Sequence, residues 1–183
     1  PDEEHTGWYP VGDPTESALV AMSTKLGTRS PKEDEENPEL QEFPFDSERK
    51  RMSSVRDFGE HKQLAMKGAT DSVLSISKSI YRDGKAVPMT EEDRKQIMEI
   101  ADEFSRKALR VLAIAFRPLG PDDRDYTIDE VERDVVFLGL AGMIDPPKEG
   151  VKESIGECHQ AKIRTFIGVM MVPGAMALTW MFA

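Results

Sequence analysis

Apolar residues recur along this chain with two periods, and the period changes where glycine, proline or turn residues interrupt it. In "GDPTESALVAMSTKLG", Ala18, Leu19, Met22 and Leu26 fall on one helical face. Asp13 suits the N-cap there, Pro14 the first helical position, Glu16 a capping-box partner and Gly27 the stop. A longer helix is predicted in "TEEDRKQIMEIADEFSRKAL", capped by Thr90, with Ile97, Ile100, Ala101, Phe104 and Ala108 on one stripe. Between these two, the period shortens to that of strands. "RKRMSSVRD" and "HKQLAMKG" flank a turn at Asp57-Phe58-Gly59, and "IYRDGKAVPM" carries Asp83-Gly84, a pair suited to a tight hairpin. "LRVLAIAF" is an unbroken apolar run, predicted as a buried strand.

Two acidic stretches interrupt the pattern. "TRSPKEDEENPELQEF" is polar and bounded by prolines, as a solvated loop would be, and "GPDDRDYTIDEVERD" reads as a second connection. After it come a strand, "DVVFLGLAGMID", a helix, "PPKEGVKESIGECHQAK", with Val151, Ile155 and Cys158 inward, and another strand, "IRTFIGV". Strand, helix and strand in succession imply a right-handed crossover in a parallel sheet. The expected fold is α+β. An antiparallel sheet flanked by helices fills residues 1–132, a partial parallel α/β unit fills 133–165, and an apolar tail occupies 166–183. From Thr165 to Ala183 there is no charge, and about 20 such residues are needed to cross a bilayer. Gly168, Pro173 and Gly174 interrupt that run, so the chain is expected to be soluble.

The composition narrows the function classes. The chain has 183 residues, 39% hydrophobic and 32% charged, and a formal net charge of −10. That charge argues against general binding to nucleic acid or anionic membranes. Cys158 is the sole cysteine, which excludes an intrachain disulfide, and His5, His61 and His159 are scattered without metal-ligand spacing. The chain starts at Pro1 with no basic-then-apolar leader and reads as an excised, monomeric segment. No Walker loop, G-x-G-x-x-G, G-x-S-x-G or H-E-x-x-H occurs, and the "DFG" triplet has no "HRD" before it.

In so acidic a chain, "FDSERKRMSSV" stands out for placing Arg49, Lys50 and Arg51 together beside Phe45. Five segments, "GDPTESAL", "FDSERKRMSSV", "MKGA", "LRVLAIAFR" and "FLGLAGMIDPP", occur in an order and wording that resemble the nucleotide-binding (N) domain of a type II, calcium-type P-type cation-transporting ATPase. In that resemblance the chain runs on into part of the phosphorylation (P) domain, a haloacid-dehalogenase-like unit. The resemblance covers about Gly12 to Arg164. It implies ATP binding, with magnesium in the intact pump, in a cytoplasmic domain of a membrane protein. The implied partners are the rest of the P domain, the actuator domain and the membrane domain.

The resemblance also assigns residues. Phe45 stands where the family stacks adenine, Lys50 beside the nucleotide and Lys67 deep in the pocket, with Gly68 next to it. Glu16 matches the acid that bonds the adenine amino group, and Arg110 an arginine that reaches the phosphates. Asp145, Pro146 and Pro147 match the hinge between the domains. Strand alternation would put Lys50 and Met52 on one face, flanking the ligand, and would leave Arg49 and Arg51 as surface charge on the other. Gly68 would let a ligand approach the backbone. Ser47 replaces an arginine of some relatives, and Lys148 stands where many have arginine. The phosphoryl-accepting aspartate of the family lies in "DKTGT", which does not occur in these residues. The segment is therefore expected to bind ATP without turning it over, as part of an ATP-driven ion translocase. The alternative is a catalytically silent regulatory or interaction module that keeps the fold.

Overall fold

The structure is a computed structural model that describes residues 13–28, 35–120, 126–144 and 150–163, with the backbone alone of 177–181. Helix α1 (Pro14–Lys25) is followed by β1 (Glu39–Asp46), β2 (Arg51–Asp57), β3 (Lys62–Gly68), α2 (Thr70–Ser75), β4 (Ser77–Arg82) and β5 (Lys85–Pro88). Then come α3 (Glu91–Arg106), β6 (Arg110–Leu119), α4 (Ile128–Val131), β7 (Val135–Ile144), α5 (Val151–Gln160) and β8 (Ala177–Met181). The strands form one sheet in the order β1-β2-β3-β6-β7-β4-β5, with β8 also paired to β7. Every pairing is antiparallel except that of β4 with β7. This is the expected α+β sheet flanked by helices.

One face of the sheet carries the core. Phe43, Ser53, Met66 and Ala115 lie across from one another in register and are all buried. Val73 and Leu74 from α2 and Ile97, Ala101 and Phe104 from α3 cover that face. Helix α3 starts where Thr90 and Asp93 cap each other reciprocally. It stops at Arg106, and Ala108 leaves it in the left-handed region at φ 59°. Ala108 is exposed, so the stripe predicted to include it ends at Phe104. The Asp83-Gly84 turn has positive φ at both residues, 52° and 79°, as a hairpin matched to strand twist requires.

Three departures from the sequence reading have physical causes. Strand β1 lies where a solvated loop was expected, because it is an edge strand with only Phe43 buried and so has little apolar pattern. Its Pro44 is tolerated there, since an edge strand need not donate from every amide. Strand β7, expected to begin a second unit, is hydrogen-bonded to β6 on one side and β4 on the other, inside the sheet. Helix α5 has no buried residue. Val151 is exposed, and Ile155 and Cys158 are half-buried. The strand expected at "IRTFIGV" falls almost wholly outside the described residues, as does most of the tail. Among the described residues no helix is long and apolar enough to cross a membrane.

Gly68 closes β3 where the chain passes against the turn before β2. A Cβ there would stand 2.5 Å from Arg51 Cβ and 2.7 Å from the Lys50 carbonyl oxygen. The glycine thus makes room for the protein's own backbone at this crossing. Gly68→Ala should lower unfolding free energy by about 1–3 kcal/mol in urea titrations, as overpacking does. The Asp93 carboxyl, held by hydrogen bonds from Thr90 and then Arg82, sits at a pKa of about 2. A depressed folded-state pKa stabilises above the unfolded value and is lost as pH falls through the folded one. Wild type should therefore exceed Asp93→Asn in melting temperature near neutral pH, and the gap should close by about pH 2.

Candidate nucleotide site on the open sheet face

The face of the sheet opposite the core is only partly covered. Met52, Lys67 and Ile114 stand side by side across β2, β3 and β6, all half-buried, and Leu112 and Arg110 continue the same face along β6. Phe45 joins this face through a register shift. Phe43 pairs with Ser53 and Asp46 with Arg51, so two β1 residues oppose Met52 alone. Without that extra residue Phe45 would face Arg51 on the core side, because a one-residue slip exchanges the faces. Phe43 is instead the buried aromatic of "EFPF", and Phe45 is 63% exposed.

Helix α1 brings two carboxylates to the same face. Asp13 caps it, accepting from the Thr15 and Glu16 amides at 2.8 and 3.3 Å. Hydrogen bonding from Thr15, with a smaller pull from Arg110, holds the Asp13 carboxyl below its ordinary value. Glu16 does not close a capping box; its carboxylate is ion-paired with the Lys67 ammonium. The Lys67 side chain is 19% exposed and that of Glu16 50%. The structure therefore brings together Glu16 and Lys67 in direct contact, Met52 in the row beside Lys67, Phe45 across from Met52, and Arg110 near Asp13.

Lys50 is placed differently from its expected position. It is the last residue of the turn before β2, in the left-handed region at φ 54°, so strand alternation does not set it beside Met52. Its side chain is 58% exposed, with Asp71 at 3.7 Å. The hinge residues Asp145, Pro146 and Pro147 lie outside the described residues. A wider concavity runs along α3, lined by Gln96, Glu99, Ile100, Glu103, Arg106 and Lys107. It has no aromatic side chain, and its two glutamates stand beside two cations, Arg106 and Lys107.

Arg49 and Arg51, expected as surface charge, instead form a buried cluster with Glu132. Arg51 Nε donates to Glu132 Oε2 at 2.8 Å, Ser53 Oγ to Oε1 at 2.8 Å, and Arg49 Nη1 also to Oε1. The Glu132 side chain is 1% exposed, and these partners stand 79 to 83 positions away in sequence. Burial pushes the Glu132 carboxyl up, but hydrogen bonds from Arg49, Arg51 and Ser53 outweigh it and leave a lowered pKa. The signal for this cluster lay in the alternation itself. Within β2, Arg51 shares the parity of buried Ser53 and Val55, and buried cations need a carboxylate.

With this geometry in hand, comparison with known proteins decides the family. The model of the P-type ATPase cytoplasmic domain N matches residues 1–150. The chain belongs to that family. The N domain is 41% identical over 157 residues to "Calcium-transporting ATPase 1" of Lactococcus lactis, covering 86% of this chain and 18% of that protein. It is 40% identical over 164 residues to "Calcium-transporting ATPase 1" of Bacillus cereus, covering 90% of this chain and 18% of the relative. A "Sodium/potassium exporting P-type ATPase 1" of Saccharomyces cerevisiae is 32% identical over 199 residues, with 88% and 18% covered. The chain thus spans about a fifth of the length of these curated relatives.

Removing the carboxylate of Glu132 would strand two largely buried guanidinium groups, and breaking such a cluster costs about 3–5 kcal/mol. Glu132→Ala should therefore show that loss near neutral pH in denaturant titrations. Because the folded-state pKa is lowered, the loss should shrink as pH falls below about 4, where the unfolded glutamate takes up its proton.

Proposed function

We propose that this N domain holds ATP by its adenosine end and presents the γ-phosphoryl to an aspartate elsewhere in a cation pump, with calcium the ion favoured by the names of the relatives. The observation that carries this reading is the convergence on one open sheet face of an exposed aromatic, a thioether, a lysine–glutamate pair and an arginine. Phe45 offers a flat surface to a purine, and such stacking is worth about 1–3 kcal/mol. Met52 is a soft apolar neighbour, and Ile114 and Leu112 extend the apolar floor. Glu16 is the acceptor for an exocyclic amine. Lys67, already oriented by Glu16, supplies a compact charge with three donors. Arg110 lies further along the face, where its fork of donors suits phosphate oxygens. Lys50 adds a cation from the exposed turn that follows Phe45.

Phosphoryl transfer depends chiefly on positioning and charge stabilisation, and this domain supplies positioning. Magnesium accompanies the triphosphate in the pump. The acceptor aspartate, the rest of the P domain, the actuator and the membrane helices come from other parts of the parent protein. Asp145, Pro146 and Pro147 serve as the hinge, and the pairing of β7 within the sheet favours a domain junction after Ile144. Much of the triphosphate projects into water from such a face, so affinity is about millimolar, near −4 kcal/mol.

An ATP titration of the isotope-labelled chain, followed at the amides around Phe45 and Gly68, tests this reading. Shifts should saturate in the low millimolar range. Lys67→Ala should weaken binding at least about tenfold while keeping its melting temperature within a few degrees, since a half-exposed ion pair contributes about 1 kcal/mol or less. No shift at several millimolar ATP would overturn the proposal.

A further inference from the structure

The Glu132 cluster lies apart from the groups assigned to the nucleotide, yet its bonds end on the segment that carries them. Arg49, held by Glu132 through Nη1, donates from Nη2 to the Pro44 carbonyl at 2.8 Å, the carbonyl of the residue immediately before Phe45. Arg51, held by Glu132 through Nε, donates from Nη1 to Ser72 Oγ at 3.0 Å, and Ser72 Oγ in turn donates to the Arg49 carbonyl. The Asp46 carboxylate caps the turn between, accepting from the amides of Glu48 and Arg49 at 3.0 and 2.8 Å. Both ends of the segment from Pro44 to Arg51 are therefore tied to one carboxylate. That carboxylate is itself fixed from behind, because Arg117 of β6 donates to the carbonyls of Glu130 and Val131.

We infer that Glu132 is a positioning residue for the nucleotide: through Arg49 and the Pro44 carbonyl it sets the orientation of Phe45, and through Arg51 and Ser72 it fixes the turn bearing Lys50. The inference rests on the ATP-binding reading above. Its physical reason is that an exposed ring on an edge strand has little packing of its own to hold it. Phe45 is 63% exposed, and its β1 neighbours Pro44 and Asp46 are exposed too. A stacking group must be held to a fraction of an ångström to keep its contact, and that precision comes from the groups behind it. A planar guanidinium bridging a buried carboxylate and a backbone carbonyl supplies it, because the fork fixes both directions at once.

Glu132→Gln keeps the shape and removes the charge that orients both guanidinium groups. Arg49→Lys is the milder variant, retaining the charge and losing the second donor to Pro44. ATP affinity, by titration, and amide hydrogen exchange over residues 45–52 are measured for both at a temperature where circular dichroism shows them folded. Ile97→Val, a core truncation under α3, serves as the control for lost stability alone. Both Glu132→Gln and Arg49→Lys should weaken ATP about tenfold and speed exchange over residues 45–52, whereas Ile97→Val should leave affinity unchanged. If both bind ATP as wild type does, Glu132 is structural and the inference fails while the ATP-binding reading stands. If Ile97→Val weakens ATP as much as they do, affinity tracks stability alone and the inference also fails. If wild type itself does not bind, the ATP-binding reading falls, and the positioning role falls with it.

Discussion

The turn and edge strand beside the open sheet face hang on one buried carboxylate. Glu132 stands at the end of the connection before β7, out of reach of water, and is satisfied by two guanidinium groups and a hydroxyl from β2 and the turn before it. An isolated charge in that position would be prohibitively costly, so the carboxylate and its partners must arrive together. The cluster thus joins segments some 80 positions apart, as no local preference would. It also answers why an acidic chain collects three cations in a row. Two of them complete the interior, and only Lys50 faces solvent.

The sheet divides the labour between its faces. Parity sends Phe43, Ser53, Met66 and Ala115 under α2 and α3, and leaves Met52, Lys67 and Ile114 on the open side. A single extra residue in β1 then moves Phe45 from the first group to the second. Gly68 adds the last constraint by letting the turn at Lys50 and Arg51 pack directly on the end of β3. The aromatic, the lysine and the turn are in this way fixed relative to one another by backbone geometry, with side-chain bonds supplying the fine adjustment.

Much of this was legible in the sequence, and the misses share a cause. The hairpin turns, the Thr90 cap and the Ile97–Ala101–Phe104 stripe are local patterns, and local physics decides them. Strand β1 escaped because an exposed edge strand with two prolines nearby has no alternation to read. The depth of Arg49 and Arg51 escaped because long cations are ordinarily solvated, and their partner lay in a stretch that reads as an acidic loop. Lys50 was assigned to a strand that begins one residue later, which a turn residue in the left-handed region makes hard to foresee. Resemblance singled out Phe45, Lys67, Glu16 and Arg110 as candidates. The structure added that Glu16 and Lys67 are partners and that Asp13, the cap beside them, feels Arg110.

The open face is an ATP site only if a purine lies on it. A crystal structure with a non-hydrolysable ATP analogue is the most direct measurement. The account predicts the purine against the Phe45 ring, its amino group toward Glu16, Lys67 beside it, and the phosphates running toward Arg110. Density for the analogue along α3, or a Phe45 ring turned inward with nothing on that face, would contradict it.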